Sequence, residues 1–302
     1  MITTPIDVLY NVKNNMLNAP VKTTGYIQTG IQCFFKSEVK TARNIAHSSN
    51  TSVLWMGVLY NRKELGYDDD DITDTEIIVQ LYEKHKDIEF ILRKLEGDFA
   101  FVLIDHCITE ETAFLFVARD IAGVYPLFIT PTRISSLCIY ENATINQPAV
   151  LQKGCFHKFS MSSKVNSSWV IQMENKPYHI PAIPFKSFFH TLKQIQQYTQ
   201  EYFQFAVYKR TLCCCLNTRI ACIMEEQEND PFLFEWMDAI LWGQYEWVKQ
   251  EELGEYAKDY VFFSISTKPY TTEQQLYGCE IYYPALDQDY SLYLQQLPEQ
   301  KE

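Results

Sequence analysis

The sequence predicts an α+β fold with antiparallel sheets, followed by a smaller C-terminal region that is mostly α or α/β. Residues 51–175 alternate one helical segment with many short strands, a pattern typical of α+β layers. The stretch "PYHIPAIPFKS", Pro177 to Ser187, holds three of the twelve prolines in eight residues. This density of breakers indicates a linker, and 302 residues are enough for two domains.

The first predicted elements run from residue 51 to residue 95, after a polar segment, 1–24, without a clear period. "TSVLWMGVLY", Thr51 to Tyr60, is a predicted strand. The acidic "GYDDDDITDTE" is a predicted solvated loop, because the turn glycine and closing acid of a calcium loop are missing. A helix is predicted from Asp74 to Leu95, capped by Thr73 or Asp74 and packed through Ile77, Ile78, Leu81 and Tyr82.

The next predicted elements are strands, and helices return after the linker. Gly97 opens the strand "FAFVLID", which is expected to pair with "AFLFVARD" as a hairpin. Four further strands are "GVYPLFIT", "SSLCIY", "CFHKFSM" (preceded by Gly154) and "SSWVIQM". Beyond the linker we expect a helix over 188–212, a strand at 218–224, a helix over 231–253 that starts with Pro231, and a weakly patterned tail from Ser264.

Composition argues against several classes of function. A net charge of −12, with no long basic run, predicts neither a nucleic-acid partner nor an anionic membrane partner. Only ten glycines argue mildly against nucleotide binding. No apolar stretch reaches about 20 residues, and the N-terminus lacks a secretory pattern. Nine cysteines without CxxC pairs indicate free thiols in a cytoplasmic protein without metal or cofactor, and we assign Cys213, Cys214 and Cys215 to packing.

Five segments in order resemble the N-terminal glutamine amidotransferase domain of asparagine synthetase. They are "WMGVLYNRKEL", "TDTEIIVQLYEKH", "LEGDFAFVLID", "FVARDIAGVYPLFIT" and "LQKGCFHKF", and Gly57, Gly97, Gly123 and Gly154 fall on motif glycines. The resemblance implies a four-layer αββα sandwich of the N-terminal-nucleophile class over residues 1–180. It also implies a linker at 181–188 and, over 189–302, a degenerate remnant of the synthetase domain with a Tyr-rich acidic tail.

The resemblance also implies a glutaminase site, and this sequence departs from it. The family's nucleophile is a cysteine exposed once Met is removed, whereas residue 2 here is Ile2. Met56 stands where the family has the oxyanion-hole Asn, and losing one such donor costs about 2.7–4 kcal/mol. Gly57 retains its N–H, and Asp74 matches the carboxylate that holds the substrate amine, but residues 20–50 lack the family's arginine segments.

The implied ATP site departs further. Where the family turns through a Ser-Gly-Gly loop, this chain reads "EEQEND", whose carboxylates would repel phosphate, and about 80 residues follow. Gly97, Gly123 and Pro126 are assigned to turns of the scaffold. Arg119 and Asp120 are interpreted as a structural ion pair or a domain contact.

Three functions remain open on the sequence. The first is a catalytically inactive protein that acts as a structural or interaction module, through a protein partner or a homo-oligomer. The second is an amidotransferase whose lost nucleophile is replaced by Cys33, Cys107 or Cys155, and the third is an amino-acid sensor that uses Asp74 and Gly57. Aromatic enrichment favours the first, although these residues could instead pack within their own domain: Phe232, Trp236, Ala239, Ile240, Trp242 and Trp247.

Overall fold

The computed structural model describes fourteen segments of the chain. They are 7–10, 25–28, 32–35, 45–69, 71–105, 112–129, 133–136, 149–163, 169–178, 191–214, 218–224, 231–253, 260–266 and 280–297. The chain divides into two compact units, Thr3–His179 (the N-terminal unit) and Ile180–Glu302 (the C-terminal unit). The predicted linker at 181–188 lies outside the described residues, and the predicted domain boundaries stay a prediction.

The described segments of the N-terminal unit form two antiparallel sheets and two helices. Its strands are β1 Asp7–Tyr10, β2 Gly25–Gln28, β3 Gln32–Phe35, β4 Ile45–His47, β5 Thr51–Leu59, β6 Gly97–Asp105, β7 Thr112–Arg119, β8 Phe128–Ile129, β9 Arg133–Ser135, β10 Ala149–Val150, β11 Cys155–Ser163 and β12 Trp169–Pro177. The two sheets have the orders β10-β8-β9-β1-β3-β2 and β12-β11-β7-β6-β5-β4. The α+β class is confirmed.

Strands β5 and β6 form the centre of the second sheet and fix which side chains share a face. They pair along nine residues, with Trp55 opposite Phe101 and Met56 opposite Ala100. The Trp55 ring stacks on Phe101 at 5.7 Å between centroids, on the face that Tyr82 of the first helix also contacts. Because successive side chains alternate between faces, Met56 lies on the opposite face, together with Asp98 and Arg119.

The predicted single helix over 74–95 is wrong in its middle. Helix α1 covers Asp74–His85 and α2 covers Ile88–Leu92. Thr73 and Glu76 form a capping box at the start of α1, which ends where Lys86 adopts a left-handed conformation with φ 51°. The Asp87 side chain then accepts the N–H of Phe90 and starts α2.

The C-terminal unit contains a parallel four-stranded sheet flanked by helices. Its elements are helices α3 Leu192–Thr211, α4 Pro231–Leu241 and α5 Gln288–Gln296, and strands β13 Arg219–Met224, β14 Glu246–Lys249, β15 Tyr260–Phe263 and β16 Glu280–Tyr282, with 3-10 turns at Gln250–Glu252 and Pro284–Leu286. The strand order is β14-β13-β15-β16, and every pair is parallel.

Three predictions from local pattern are corrected by these elements. The helix predicted over 231–253 ends at Leu241, because Trp242 and Gly243 both adopt positive φ, and β14 follows. The tail after Ser264 carries β16 and α5. The segment 1–24 contains β1, which pairs with β3 and β9.

A buried ion cluster holds α3 against the start of α5. Asp287 caps α5 and accepts hydrogen bonds from Lys209 at 3.3 Å and from Arg210 at 2.9 Å. Burial tends to raise the pKa of Asp287, but the two cations outweigh it and hold the pKa below its ordinary range. None of the helices in the described segments is long and apolar enough to cross a membrane.

Candidate functional site

The three residues predicted to line a substrate pocket lie along β5 and at the start of α1. Met56 and Gly57 are in β5, and Asp74 is the first residue of α1. The Met56 side chain is only 2% exposed, so it belongs to the core. A thioether carries no N–H or O–H donor, and Met56 therefore offers nothing to an oxyanion.

Gly57 is required by the close approach of β5 and β6. Its φ is +121°, and a Cβ added there would lie 2.0 Å from the Asp98 carbonyl oxygen and 2.7 Å from the Phe99 Cα. The opposite residue, Phe99, directs its own N–H and C=O to Asp120. The polar groups of Gly57 therefore point away from β6, and its carbonyl accepts the Trp55 indole N–H at 3.0 Å.

Asp74 uses both carboxylate oxygens within the protein. Oδ2 accepts the backbone N–H of Leu59 at 3.0 Å, and Oδ1 lies 3.4 Å from Nε of Arg62. Burial raises the pKa of Asp74, while the Leu59 hydrogen bond and the Arg62 charge act in the opposite direction. The idea that Asp74 could cap α1 is wrong, because Thr73 occupies that position. The pocket predicted from Met56, Gly57 and Asp74 stays a prediction.

Arg62 fixes the loop that precedes α1. Besides its ion pair with Asp74, it donates to the carbonyl of Asp69 at 3.1 Å and to that of Ile72. The Arg62 guanidinium therefore links the carbonyls of this loop to the Asp74 carboxylate.

Arg119 and Asp120 form a second buried cluster, and each binds backbone groups. Nε of Arg119 donates to the Tyr125 carbonyl at 2.6 Å, Nη1 to that of Leu151 at 2.5 Å, and Nη2 to that of Gly123 at 2.6 Å. The interpretation of Arg119 and Asp120 as a structural ion pair or a domain contact stays a prediction. Within the described residues, the hydrogen bonds of Arg119 go to carbonyls, and only longer-range attraction links it to Asp120.

Asp120 organises the turn that follows β7. It accepts the N–H of Gly123 at 2.5 Å, of Val124 at 3.1 Å and of Phe99 at 3.1 Å. Burial, aided by the Asp98 carboxylate and opposed by Arg119, raises the pKa of Asp120 to about 7.

The turn glycines have separate reasons to be glycine. Gly123 has φ +71°, and a Cβ there would lie 2.7 Å from Cβ of Lys153, which supports the predicted turn. Gly97 is the first residue of β6 and not a turn residue: its φ is not positive, and a Cβ would lie 2.2 Å from the Val58 carbonyl oxygen. Pro126 lies half-buried between Tyr125 and Leu127 in the same turn as Gly123.

Sequence reasoning missed Asp98, Tyr60 and Tyr178. Asp98 is buried and accepts the Tyr60 hydroxyl at 2.5 Å. The Tyr178 hydroxyl donates to the Arg119 carbonyl at 2.7 Å, and burial raises its pKa well above the ordinary range. Asp98 could have been found, because it shares the parity of Ala100 in a strand with alternating faces, whereas Tyr178 fell inside the segment assigned to a linker.

Cys155 is the described candidate for a replacement nucleophile. It is 7% exposed, its sulfur lies 3.9 Å from Oε1 of Gln152, and burial raises its pKa. A reactive cysteine needs the opposite shift and access to solvent. The Cys33 side chain and Cys107 lie outside the described part of the chain, as does the acidic 225–230 loop. Over the segments that the structure covers, no three His, Cys, Asp or Glu side chains are grouped to hold a metal ion.

Some of the apolar side chains predicted on the helix that begins at Pro231 are partly buried, and others are exposed to solvent. Trp236 lies 6.2 Å from Phe203 of α3 between ring centroids and is half-buried, and Ile240 is also half-buried. Phe232, Ala239, Trp242 and Trp247 are exposed, and Trp242 is the most exposed of the large apolar side chains described, at 82%. Sequence periodicity found the apolar positions but not which of them are covered.

The comparisons with known proteins agree with this geometry in the N-terminal unit. No curated protein matches the chain. Residues 43–140 match a family model described as "Glutamine amidotransferase domain". The match includes Asp74 with Arg62 and Arg119 with Asp120, and it runs from before β5 to beyond the turn with Gly123. Residues 43–140 are therefore a glutamine amidotransferase-like domain, consistent with the domain of asparagine synthetase.

Proposed function

We propose that this chain is a catalytically inactive relative of asparagine synthetase that works as a structural or protein-interaction module. The observation that carries the proposal is the state of Asp74. In the family it resembles, this carboxylate holds the substrate amine, but here its oxygens bind the Leu59 N–H and face the Arg62 guanidinium. A protein cation thus stands where the ammonium group of an amino acid would bind.

The oxyanion position supports the same proposal. Met56 provides no donor in place of the family's Asn, and its side chain is enclosed by the core. The N–H of Gly57 alone would have to stabilise a tetrahedral intermediate. Two donors normally share that task, and losing one costs about 10²–10³ in turnover.

The proposal includes the finer architecture. We assign the two six-stranded antiparallel sheets, with α1 packed on β5 and β4, to a four-layer αββα sandwich of the N-terminal-nucleophile class. We assign the parallel sheet of the C-terminal unit to a degenerate synthetase domain. Its order, β14-β13-β15-β16, reverses direction at β13, as doubly wound α/β sheets do.

Glutamine hydrolysis and glutamine binding are measured separately to test the proposal. We expect purified protein to release no ammonia from glutamine above a heat-inactivated control, and glutamine, asparagine and aspartate to leave its melting temperature unchanged. Ammonia release would overturn the proposal, and a ligand-dependent rise in melting temperature alone would favour an amino-acid sensor.

Arg62→Met tests the reason for the loss. Removing the guanidinium leaves Asp74 bound by Leu59 but free of its cation, so the variant should show a larger glutamine-dependent thermal shift than the native protein. Asp74→Asn in the same background is the matched control, and it should abolish any such shift. The interaction role is tested by affinity purification with mass spectrometry from the native source, followed by sedimentation of the recovered protein. Recovery of the chain alone and as a monomer would count against this role.

A further inference from the structure

Helix α3 is apolar on two opposite sides, although only one side packs within its own unit. The inner side places Phe203, Ala206 and Val207 in the core with no exposed surface. The outer side carries Phe205, Tyr208 and Leu212, which are 52%, 48% and 66% exposed. We call these three residues the α3 stripe. A helix that is apolar on all sides is normally covered on all sides.

The α3 stripe has the spacing of a helix-pairing surface. Its residues follow one another by three and four positions, as the apolar residues of paired helices do. The ring of Phe205 is held in place, because Nζ of Lys209 lies 5.2 Å from its centroid.

We propose that the α3 stripe binds the α3 stripe of a second copy of this chain, in antiparallel orientation about a two-fold axis near Tyr208. This arrangement places Phe205 against Leu212 of the second copy and the two Tyr208 rings side by side. The nearly symmetric spacing about Tyr208 makes the stripe self-complementary, as a two-fold interface requires. The proposal does not depend on loss of glutaminase activity, because it concerns the C-terminal unit alone.

Charge favours a second copy over a membrane surface. The formal net charge of the whole chain is −12, so two copies repel each other overall. They can associate only through a surface on which like charges do not face one another. Along α3 from Tyr198 to Leu212, the exposed charged side chain in the described structure is Glu201, because Lys209 and Arg210 are buried against Asp287. Helices that lie on membranes need exposed Lys and Arg beside the apolar stripe, whereas the exposed Lys of α3 is Lys193, twelve positions before Phe205.

The available area fits a small dimer. Because a buried aromatic side chain covers about 150–250 Å², the three partly exposed side chains offer about 300 Å² per copy. A standard interface buries about 800 Å² per partner, of which about 56–65% is apolar. The stripe therefore supplies more than half of the apolar centre of such an interface.

The test uses opposite charges at the two-fold axis. Full-length native protein should sediment at twice its 35.4 kDa mass at high micromolar concentration. Tyr208→Glu and Tyr208→Lys should each weaken the dimer by about tenfold or more, because each places like charges opposite one another. An equimolar mixture of the two variants should form heterodimers again, since Glu then faces Lys.

Phe232→Glu is the matched control, because Phe232 is also an exposed aromatic but lies on α4. It should leave the dimer intact, and far-UV circular dichroism should show the same helix content in all variants. A native protein that stays monomeric, a variant mixture that fails to recover dimers, or a dimer lost only in Phe232→Glu would each overturn the proposal.

Discussion

Replacing Gly57 by Ala should destabilise the N-terminal unit strongly, although Gly57 corresponds to a catalytic backbone donor in the family. The new Cβ would lie 2.0 Å from the carbonyl oxygen of Asp98 and 2.7 Å from Cα of Phe99. Both are backbone atoms of β6, which is held between β5 and β7, so a rotamer change cannot relieve the contact. The two central strands would have to separate by about 1 Å to reach ordinary van der Waals distances.

Two costs add at this position. A non-glycine residue at φ +121° is strained by about 1–3 kcal/mol. Forcing an extra methyl into a packed site costs about another 1–3 kcal/mol. The expected loss in the free energy of unfolding is therefore about 2–6 kcal/mol, which is a large part of the stability of a typical domain.

Gly66→Ala separates the two costs. Gly66 also has positive φ, at +89°, but a Cβ there meets nothing within 4 Å. Its substitution should therefore cost only the backbone strain, about 1–2 kcal/mol. The difference between the two variants then measures the close approach of β5 and β6.

The assay is urea unfolding of the full chain, followed by circular dichroism. Hydrogen exchange of peptides from β5 and β6 localises the loss, and Gly57→Ala should accelerate exchange in both strands while Gly66→Ala leaves them protected. If both variants lose the same free energy, the close approach does not determine glycine at position 57. The Gly57 N–H would then require a functional explanation.

Three further predictions concern the buried charges. Arg119→Met should lower the free energy of unfolding by about 3–6 kcal/mol because three buried carbonyls lose their donors; Arg119→Lys should cost less, and equal losses in urea unfolding would contradict this. The folded-state pKa of Asp120 is about 7 and exceeds its ordinary 3.8, so its contribution to stability is present below about pH 4 and is lost as pH rises through 7. The free energy of unfolding of Asp120→Asn minus that of the native protein should therefore rise between about pH 4 and about pH 7. A difference that does not change with pH would refute the assignment. Asp287→Ala removes the buried carboxylate that Lys209 and Arg210 share, although Lys209 keeps Asp289 at 3.1 Å, and it should cost about 3–5 kcal/mol in thermal unfolding. A loss below about 1 kcal/mol would show that the cluster contributes little.

The central sheet was predictable because each strand carries its own signal. The segments "TSVLWMGVLY" and "LEGDFAFVLID" are rich in β-branched and aromatic residues, and they form β5 and β6 within one or two residues of the predicted bounds. The pairing of β6 with β7 follows from chain order, because these two strands are consecutive in the sequence. The pairing of β5 with β6 does not follow in this way, since α1 and α2 lie between the two strands.

The C-terminal sheet was not predictable in the same way. Its strands have three to six residues, and parallel strands need crossover connections, such as the one that brings Arg219 beside Tyr260. The end of α4 at Trp242 was equally hidden, because a tryptophan with φ +56° is an uncommon choice for that position. Such features depend on tertiary packing, which a local period does not contain.

In the candidate site, the sequence identified a residue but not the groups that it contacts. Asp74 was identified by its place in a motif, but its partners, Leu59 and Arg62, come from a neighbouring strand and a loop. Tyr178 was overlooked because it follows β12, and its contact with Arg119 spans 59 positions. A motif in the sequence can identify a carboxylate, whereas the groups that bind it depend on the fold.

Motif glycines in this chain report on the backbone and not on chemistry. At Gly57, Gly97 and Gly123, an added Cβ would lie between 2.0 and 2.7 Å from another atom, so the scaffold requires glycine whether or not a reaction occurs. Met56 differs, because no backbone constraint selects its side chain and it lies in the core. A buried Asn at that position would need hydrogen-bond partners for its amide, while Met needs none. The resemblance at the glycines therefore supports the fold, and the identity of residue 56 is the stronger indication of whether the oxyanion site is retained.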